Sequence, residues 1–295
     1  MNISLRQIEV FLATANLGSV SRAAEKLFIS QAAASMALKE FETQLGEKLF
    51  DRAGKKLILN ESGRAAVALA AEIVSRAEEL TDYFSVKNSL FGNLVVGASS
   101  TIGNYVLPGY VASFIQGNER AKVQLEVGNT EEIIKKVSRF AVDIGFIEGS
   151  CYESEIEVIP WMDDELAVFA APRHKLAGAG GTDIAELEAC NWILREKGSG
   201  TREIFENQIG KLSMTINVLL ELGHTEAIKN AVSRGNGISC LSRYALQDLM
   251  RLKAIKLIKT PFLNLRRKFY LIMRKEKYKT KILQGFLKHI NVKGG

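Results

Sequence analysis

In four places the chain sets hydroxyls and backbone amides where a short apolar strand gives way to a helix. Ser99-Ser100-Thr101 follows LVVGA, and Gly128-Asn129-Thr130 follows VQLEV. Lys197-Gly198-Ser199-Gly200-Thr201-Arg202 follows WILRE, and Gly223-His224-Thr225 follows INVLLEL. The first turn of a helix leaves N–H groups unpaired and carries the positive end of the helix dipole, so such ends attract anions. Arg202 adds a fixed guanidinium suited to a carboxylate or another oxyanion. Taken singly, each junction is an ordinary helix cap. Taken together, and with G-S-G-T-R among them, they predict a site for a small anionic ligand. Its residues would be Ser99, Ser100, Thr101, Asn129, Thr130, Ser199, Thr201, Arg202 and Thr225.

Other chemistries find less support. His174, His224 and His289 are isolated, with no pair at helical i, i+4 spacing and no Cys-x-x-Cys frame, so no metal and no cofactor is expected. Ser199 lies between glycines but outside a G-x-S-x-G elbow, and neither a P-loop nor a dinucleotide-binding glycine fingerprint is present. An enzyme, or a plain ligand-binding protein, stays an alternative because α/β domains host many functions. A thiol sensor is another. Its candidate is Cys151 in EGSCYESE, although Glu148, Glu153 and Glu155 disfavour a thiolate there.

These junctions need a scaffold that aligns strand ends. The apolar segments LVVGA (94–98), VQLEV (123–127), VDIGFI (142–147), ELAVFAA (165–171), WILR (192–195), INVLLEL (216–222), GISCLS (237–242) and KFYLIM (268–273) alternate with helical stretches. Such alternation predicts α/β layers with mostly parallel sheets, whose ligands bind at the carboxyl ends of strands.

The first sixty residues follow a different pattern. Leu5, Ile8, Phe11, Leu12 and Ala15 fall at helical spacing. After Leu17-Gly18, either Ser19 or Ser21 can cap a short helix through Leu27. Ser30 then caps a third helix from Gln31 to Leu45, which stops at Gly46. Two helices crossing steeply through a tight turn need small contact residues. Ala23, Ala24, Ala33 and Ala34 supply them, with Leu27, Ile29 and Leu38 behind. Lys48 to Leu59 alternates around Gly54 as a small hairpin, or wing, and its Arg52, Lys55 and Lys56 suit phosphate contacts. The set predicts a winged helix-turn-helix that presents its third helix to a DNA major groove.

This stretch resembles the N-terminal domain of the LysR-type transcriptional regulators. The carriers are F-L-A near the start, S-x-x-A-A-x-x-L, S-Q, and L-G-x-x-L-F-x-R from Leu45 to Arg52. The resemblance implies base-edge contacts from Gln31, Ser35, Met36 and Lys39, and phosphate contacts from Ser21, Arg22, Ser30, Arg52, Lys55 and Lys56. Ala32 and Met36 replace the family's usual proline and basic residue, so the operator code cannot be taken over from relatives. The resemblance also implies a two-lobed effector domain like a type 2 periplasmic binding protein, and a tetrameric assembly.

Between these parts, Ala66, Ala70, Ile73, Ala77, Leu80 and Phe84 alternate spacings of four and three, a heptad seam suited to a homodimer through residues 62–84. The expected division is a DNA-binding domain at 1–61, a linker helix and hinge at 62–91, and an effector domain at 92–295. Within the last, lobe one is 92–161 plus 268–295 and lobe two is 162–267. The expected partners are a double-stranded DNA operator and a small anionic effector. The net charge of +6 permits nucleic acid without locating it, since the basic run from Arg251 to Lys293, with Glu276 its one acid, reads as a solvated face. No run of eighteen apolar residues is present. The N-terminus lacks a signal-peptide core, and three scattered cysteines fit a reducing compartment. Together these place the chain in the cytoplasm, off the membrane.

Overall fold

The computed structural model describes residues 3–53, 56–83, 90–178 and 180–291. Gly54, Lys55, Phe84 and Lys293, invoked above, lie outside the described residues.

The head is built from α1 (Leu5–Leu17), α2 (Val20–Lys26) and α3 (Gln31–Leu45), followed by β1 (Phe50–Ala53) and β2 (Lys56–Leu59). Each helix start is fixed by a serine. Ser4 forms a capping box with Gln7, Ser19 rather than Ser21 accepts from the Arg22 amide, and Ser30 accepts from the Ala33 amide. Gly18 and Gly46 end their helices in the left-handed conformation, where glycine has no Cβ to clash. Ala23, Ala24 and Ala34 are buried at the helix crossing as expected, but Ala33 is exposed. It lies one residue before the buried i, i+4 row of Ala34 and Leu38 and so points outward. Phe11 packs on Phe41 and Phe50 with ring centroids 5.4 and 5.7 Å away. The wing is an antiparallel pair running from Phe50–Leu59 to Ala53–Lys56.

The helix α4 (Glu61–Tyr83) starts at Asn60, whose side chain accepts from the Gly63 amide at 2.8 Å. The expected seam is corrected over its first half. Ala66 and Ala70 pack on the head's own core, because the first turns of α4 lie along α1. Among the described residues, the large apolar side chains exposed on α4 are Leu69, Ile73 and Leu80.

The remaining elements are β3 (Gly92–Ser99), α5 (Ser100–Tyr105), α6 (Leu107–Gln116), β4 (Ala121–Gly128), α7 (Thr130–Ser138), β5 (Ile144–Glu148), β6 (Ile156–Ala170), α8 (Ile184–Glu188), β7 (Asn191–Arg195), α9 (Gly200–Lys211), β8 (Asn217–Leu222), α10 (Thr225–Ser233), β9 (Ile238–Ser242), α11 (Arg243–Arg251), β10 (Lys256–Leu257), β11 (Arg266–Arg274) and α12 (Lys281–His289). The sheet order is β4-β3-β5-β11-β6-β9-β7-β8, with β10 beside β6. Its two halves are two lobes with separate cores, one around Phe114, Phe146, Phe269 and Phe286, the other around Trp192 and Phe205.

The sheet is less parallel than alternation suggests. Pairs β3–β4, β3–β5, β7–β8 and β7–β9 are parallel, but β11 runs antiparallel to β5 and β6, and β6 antiparallel to β9. The cause is topological. Both β6 and β11 cross from one lobe to the other, in opposite directions, so each presents an antiparallel face. The expected lobe borders at 161/162 and 267/268 fall inside these two strands. Lobe one also touches the head side of the molecule. Phe140 packs on the head's core, Arg274 lies over its ring at 4.9 Å, and Arg76 of α4 lies over Tyr278 at 4.4 Å. No helix among the described residues is long and apolar enough to cross a membrane.

Candidate functional site

On the head, Gln31, Ser35 and Lys39 recur every fourth residue of α3 and are exposed, and so is Met36 beside them. The neighbouring stripe of Ala34, Leu38 and Phe41 is buried in the core. Arg22 on α2 and Arg52 and Lys56 on the wing are exposed, Ser30 is exposed at the cap of α3, and Ser21 is half-buried. The exposed residues of the head thus include groups that can read base edges as well as cations and hydroxyls that can hold phosphates.

In the larger part, the hydroxyls expected at an open anion site converge instead on a carboxylate. Glu148 ends β5 and is buried. Ser99 donates to it, as do Thr101 at 2.9 Å and Thr201 at 3.4 Å, while Thr130 donates to its backbone carbonyl at 2.6 Å. A buried carboxylate without partners costs several kcal/mol, on the order of that of any desolvated ion, so these hydroxyls are held where they satisfy it. The contact joins the lobes. Thr201 and Gly200 belong to α9 of lobe two, and Glu148, Ser99 and Thr130 to lobe one. The Glu131 amide also donates to the Gly198 carbonyl across the gap at 3.2 Å, and Tyr105 of α5 donates to Glu226 of α10.

A second hub forms on Arg195, which is buried and paired with Glu196. It donates to Ser100 at 3.1 Å and to Thr225 at 3.3 Å. Arg202 departs from the expected role of free cation. Its guanidinium bonds Glu206, Glu221 and the Arg195 carbonyl. Although burial works against its charge, Glu206 and Glu221 hold it above the ordinary arginine range. Asn129 caps α7 in a box with Glu132. The cation that reaches the Glu148 cluster is Arg267 of β11, which donates to Thr201 at 3.1 Å and pairs with Asp164 at 2.6 Å. Beside the cluster lies an inter-lobe cavity of about 390 Å³, lined in part by Thr130, Tyr152, Lys197, Ser199 and Arg202. Glu148, Arg195 and Arg267 were missed by the sequence reading. The one available signal was that Glu148, like the hydroxyl groups, stands at the carboxyl end of a strand.

All three cysteines carry free thiols, and burial pushes each above the usual thiol range, Cys151 included. A raised thiol holds less of the thiolate that reacts with oxidants.

Residues 5–64 match the helix-turn-helix family described as bacterial regulatory helix-turn-helix protein, lysR family, and residues 87–292 match the LysR substrate binding domain. The chain is similar to the uncharacterized HTH-type transcriptional regulator YeiE of Escherichia coli K12, at 42% identity over 287 residues and 97% of each chain. It is similar to the regulatory domain of CcmR from Synechocystis PCC6803 in complex with 2-PG, at 31% identity, a TM-score of 0.64, and 68% and 95% coverage of the two chains. In fold it also matches a full-length OxyR variant from Pseudomonas aeruginosa, at 21% identity, a TM-score of 0.74, and 99% and 96% coverage.

Proposed function

Because the chain belongs to the LysR family of transcriptional regulators, we propose that its head reads a partly palindromic operator and that a small anion between the lobes sets how the heads sit on it. The chain is a DNA-binding regulator with an effector-binding domain, and its relatives are regulators rather than enzymes. An operator as partner puts its work in the cytoplasm.

The anion reading rests on two buried donors without acceptors: Ser199 Oγ, on a residue lining the inter-lobe cavity, and Arg267 Nη2, whose sister Nη1 bonds Thr201. Buried donors are nearly always satisfied, and an absent ligand is one reason for an exception. The complex of CcmR with 2-PG supports a small-ligand site in this kind of domain. An effector that binds the closed lobes better than open ones shifts the population toward closure. The contacts of Phe140 and Tyr278 with the head and α4 offer a route from lobe one to the DNA.

On the operator, Gln31 and Ser35 contact bases, with Met36 and Lys39 beside them. Ser21, Arg22, Ser30, Arg52, Lys55 and Lys56 hold phosphates. The test is a salt-series titration against the gene's own upstream DNA. Each phosphate contact should contribute about 0.9 to the slope of log affinity against log salt. Lys56→Ala should lower that slope by about 1 for any sequence, and Gln31→Ala should cost about 1–3 kcal/mol on the operator alone. Equal binding to operator and random DNA would sink the reading, as would a Gln31→Ala loss that is the same on both.

The same reading takes α4 as a dimer seam, on the exposed apolar stripe Leu69, Ile73 and Leu80, and a tetramer as the assembly. A second exposed apolar run, Val218 to Leu220 on edge strand β8, gives such an assembly a further surface. Ile73→Glu should convert dimers to monomers by sedimentation, with the head still folded. An unchanged oligomer would move the interface elsewhere.

A further inference from the structure

The turn between α2 and α3 is closed by two backbone bonds. The Phe28 amide donates to the Glu25 carbonyl at 3.2 Å, and the Ile29 amide to the Ala24 carbonyl at 3.0 Å. This pairing holds Phe28 in the left-handed conformation, with φ 54°, a place that glycine usually takes at a helix end. A residue with a Cβ is strained there. Burial of the ring does not offset the strain, because Phe28 is 95% exposed. The end of α7 is built the same way. The Phe140 amide donates to the Val137 carbonyl at 3.1 Å and the Ala141 amide to the Lys136 carbonyl at 2.9 Å, with Phe140 at φ 56°. There the ring finds partners: it packs on the head's core and lies under Arg274 at 4.9 Å. Two phenylalanines thus occupy the same strained position. Contacts inside the chain offset the strain at Phe140, and only a contact outside the chain can offset it at Phe28.

We propose that Phe28 is a specificity-determining residue of the head, whose ring packs on a thymine methyl in the operator. This rests on the reading that α3 enters the major groove. Phe28 stands two residues before Ser30, the cap of α3, and three before Gln31. Residues at the start of a recognition helix are the ones that meet base edges. Three residues span at most about 11 Å, and a major groove is about 12 Å wide, so one groove admits both side chains. The thymine methyl is the apolar mark among the base edges there, and phenylalanine is one of the side chains that can touch it. The turn presents its ring from a fixed place. Arg6 donates to the Leu27 carbonyl at 2.7 Å on one side of Phe28, and Ser30 Oγ accepts from the Ala33 amide at 3.2 Å on the other. A side chain held ready in this way gives up little freedom on binding.

The test is titration of the full chain against the gene's own upstream DNA and against random duplex. Thymines of the upstream DNA are replaced one at a time by uracil, which lacks the methyl. Phe28→Gly should weaken binding to the upstream DNA about tenfold or more, the effect of losing a buried aromatic side chain, and leave random DNA unaffected. At one position uracil should weaken the native chain about fourfold, the effect of one lost methyl group, and should leave Phe28→Gly unchanged. Phe28→Asn, which also suits the left-handed turn, should behave as Phe28→Gly does, and both variants should melt at or above the native temperature. Native affinity for the upstream DNA in both variants would overturn the proposal. So would a loss that is equal on random DNA, or one that no uracil position shares. A lower melting temperature, or a smaller oligomer, would set the ring against protein, its own or a second copy, and would overturn it too. Gln31→Ala in the same series keeps the two readings apart. If Gln31→Ala loses the preference for upstream DNA and Phe28→Gly keeps it, only the role of Phe28 falls. If Gln31→Ala also keeps it, the reading of α3 falls, and the role of Phe28 with it.

Discussion

Alanine at Gly200 is expected to force the two lobes apart. The methyl carbon would lie 1.7 Å from the Glu148 carbonyl oxygen, 2.5 Å from its carbon and 2.7 Å from Thr130 Oγ1. Two of these atoms are backbone, held in β5 by the sheet, and cannot swing aside as a long side chain would. Either α9 retreats from lobe one or β5 distorts. Retreat is the cheaper response, because each lobe keeps its own core while only the contacts between them are lost. Overpacking of this kind costs about 1–3 kcal/mol. The sharper readout is local: the Glu131 amide, which donates to the Gly198 carbonyl across the gap, should lose its protection from hydrogen exchange. Gly210, ten residues along the same helix, has open space where a Cβ would stand. Gly210→Ala, in the last turn of α9, should therefore be tolerated and should stabilise by at most about 0.5–1 kcal/mol, the full relief of a mid-helix glycine. If Gly200→Ala melts like the native chain and Glu131 stays protected, the lobes are not closed on Gly200 in solution.

The two parts of the protein differ in how much of them the sequence discloses, and the difference follows contact distance along the chain. Ser4, Ser19 and Ser30 cap helices by bonding amides three residues on. Every signal for the head therefore lies within a few residues of what it specifies, and the head was legible almost residue by residue. The effector site was half legible. Hydroxyls at strand ends are a local pattern, and Ser99, Thr101, Thr130 and Thr201 do meet. What they meet on was not legible. Glu148 lies 49 positions from Ser99 and 53 from Thr201, and Arg267 lies 66 from Thr201. Those neighbours are fixed by the crossing of β6 and β11, and two strands that each read as ordinary apolar runs give no hint that they pass between lobes. Arg202 shows the opposite failure. Its place in G-S-G-T-R suggested a ligand cation, but Glu206 one turn on, and Glu221 on β8, take its donors.

The largest stability effect is expected where those crossing strands are pinned. Asp164 of β6 and Arg267 of β11 are directly opposed in the sheet, paired at 2.6 Å, with side chains 1% and 2% exposed. Asp164 also accepts from Ser242 at 2.8 Å. Asp164→Ala leaves the Arg267 charge buried without its partner. Removing one member of such a pair costs about 3–5 kcal/mol, which for a domain of this size lowers the melting temperature by roughly 10 °C. Replacing both, Asp164→Ala with Arg267→Met, should cost less than the single change, because no charge is then stranded. One position earlier the same strands offer a control. Asp163 and Lys268 pair at the same 2.6 Å, but their side chains are 83% and 52% exposed. An ion pair in water contributes at most about 1 kcal/mol, so Asp163→Ala should be nearly silent. Two aspartates adjacent in sequence, with the same pairing distance, thus differ in consequence through burial and through the bond that Ser242 gives to Asp164 alone. Equal melting shifts for the two alanine variants would show that the crossing of the strands is not held by its buried pair. The pair also holds Thr201 through Arg267 Nη1, and Thr201 in turn bonds Glu148. The double variant should therefore recover stability without recovering the response to an anion, which separates what the pair does for the fold from what Arg267 does for the site.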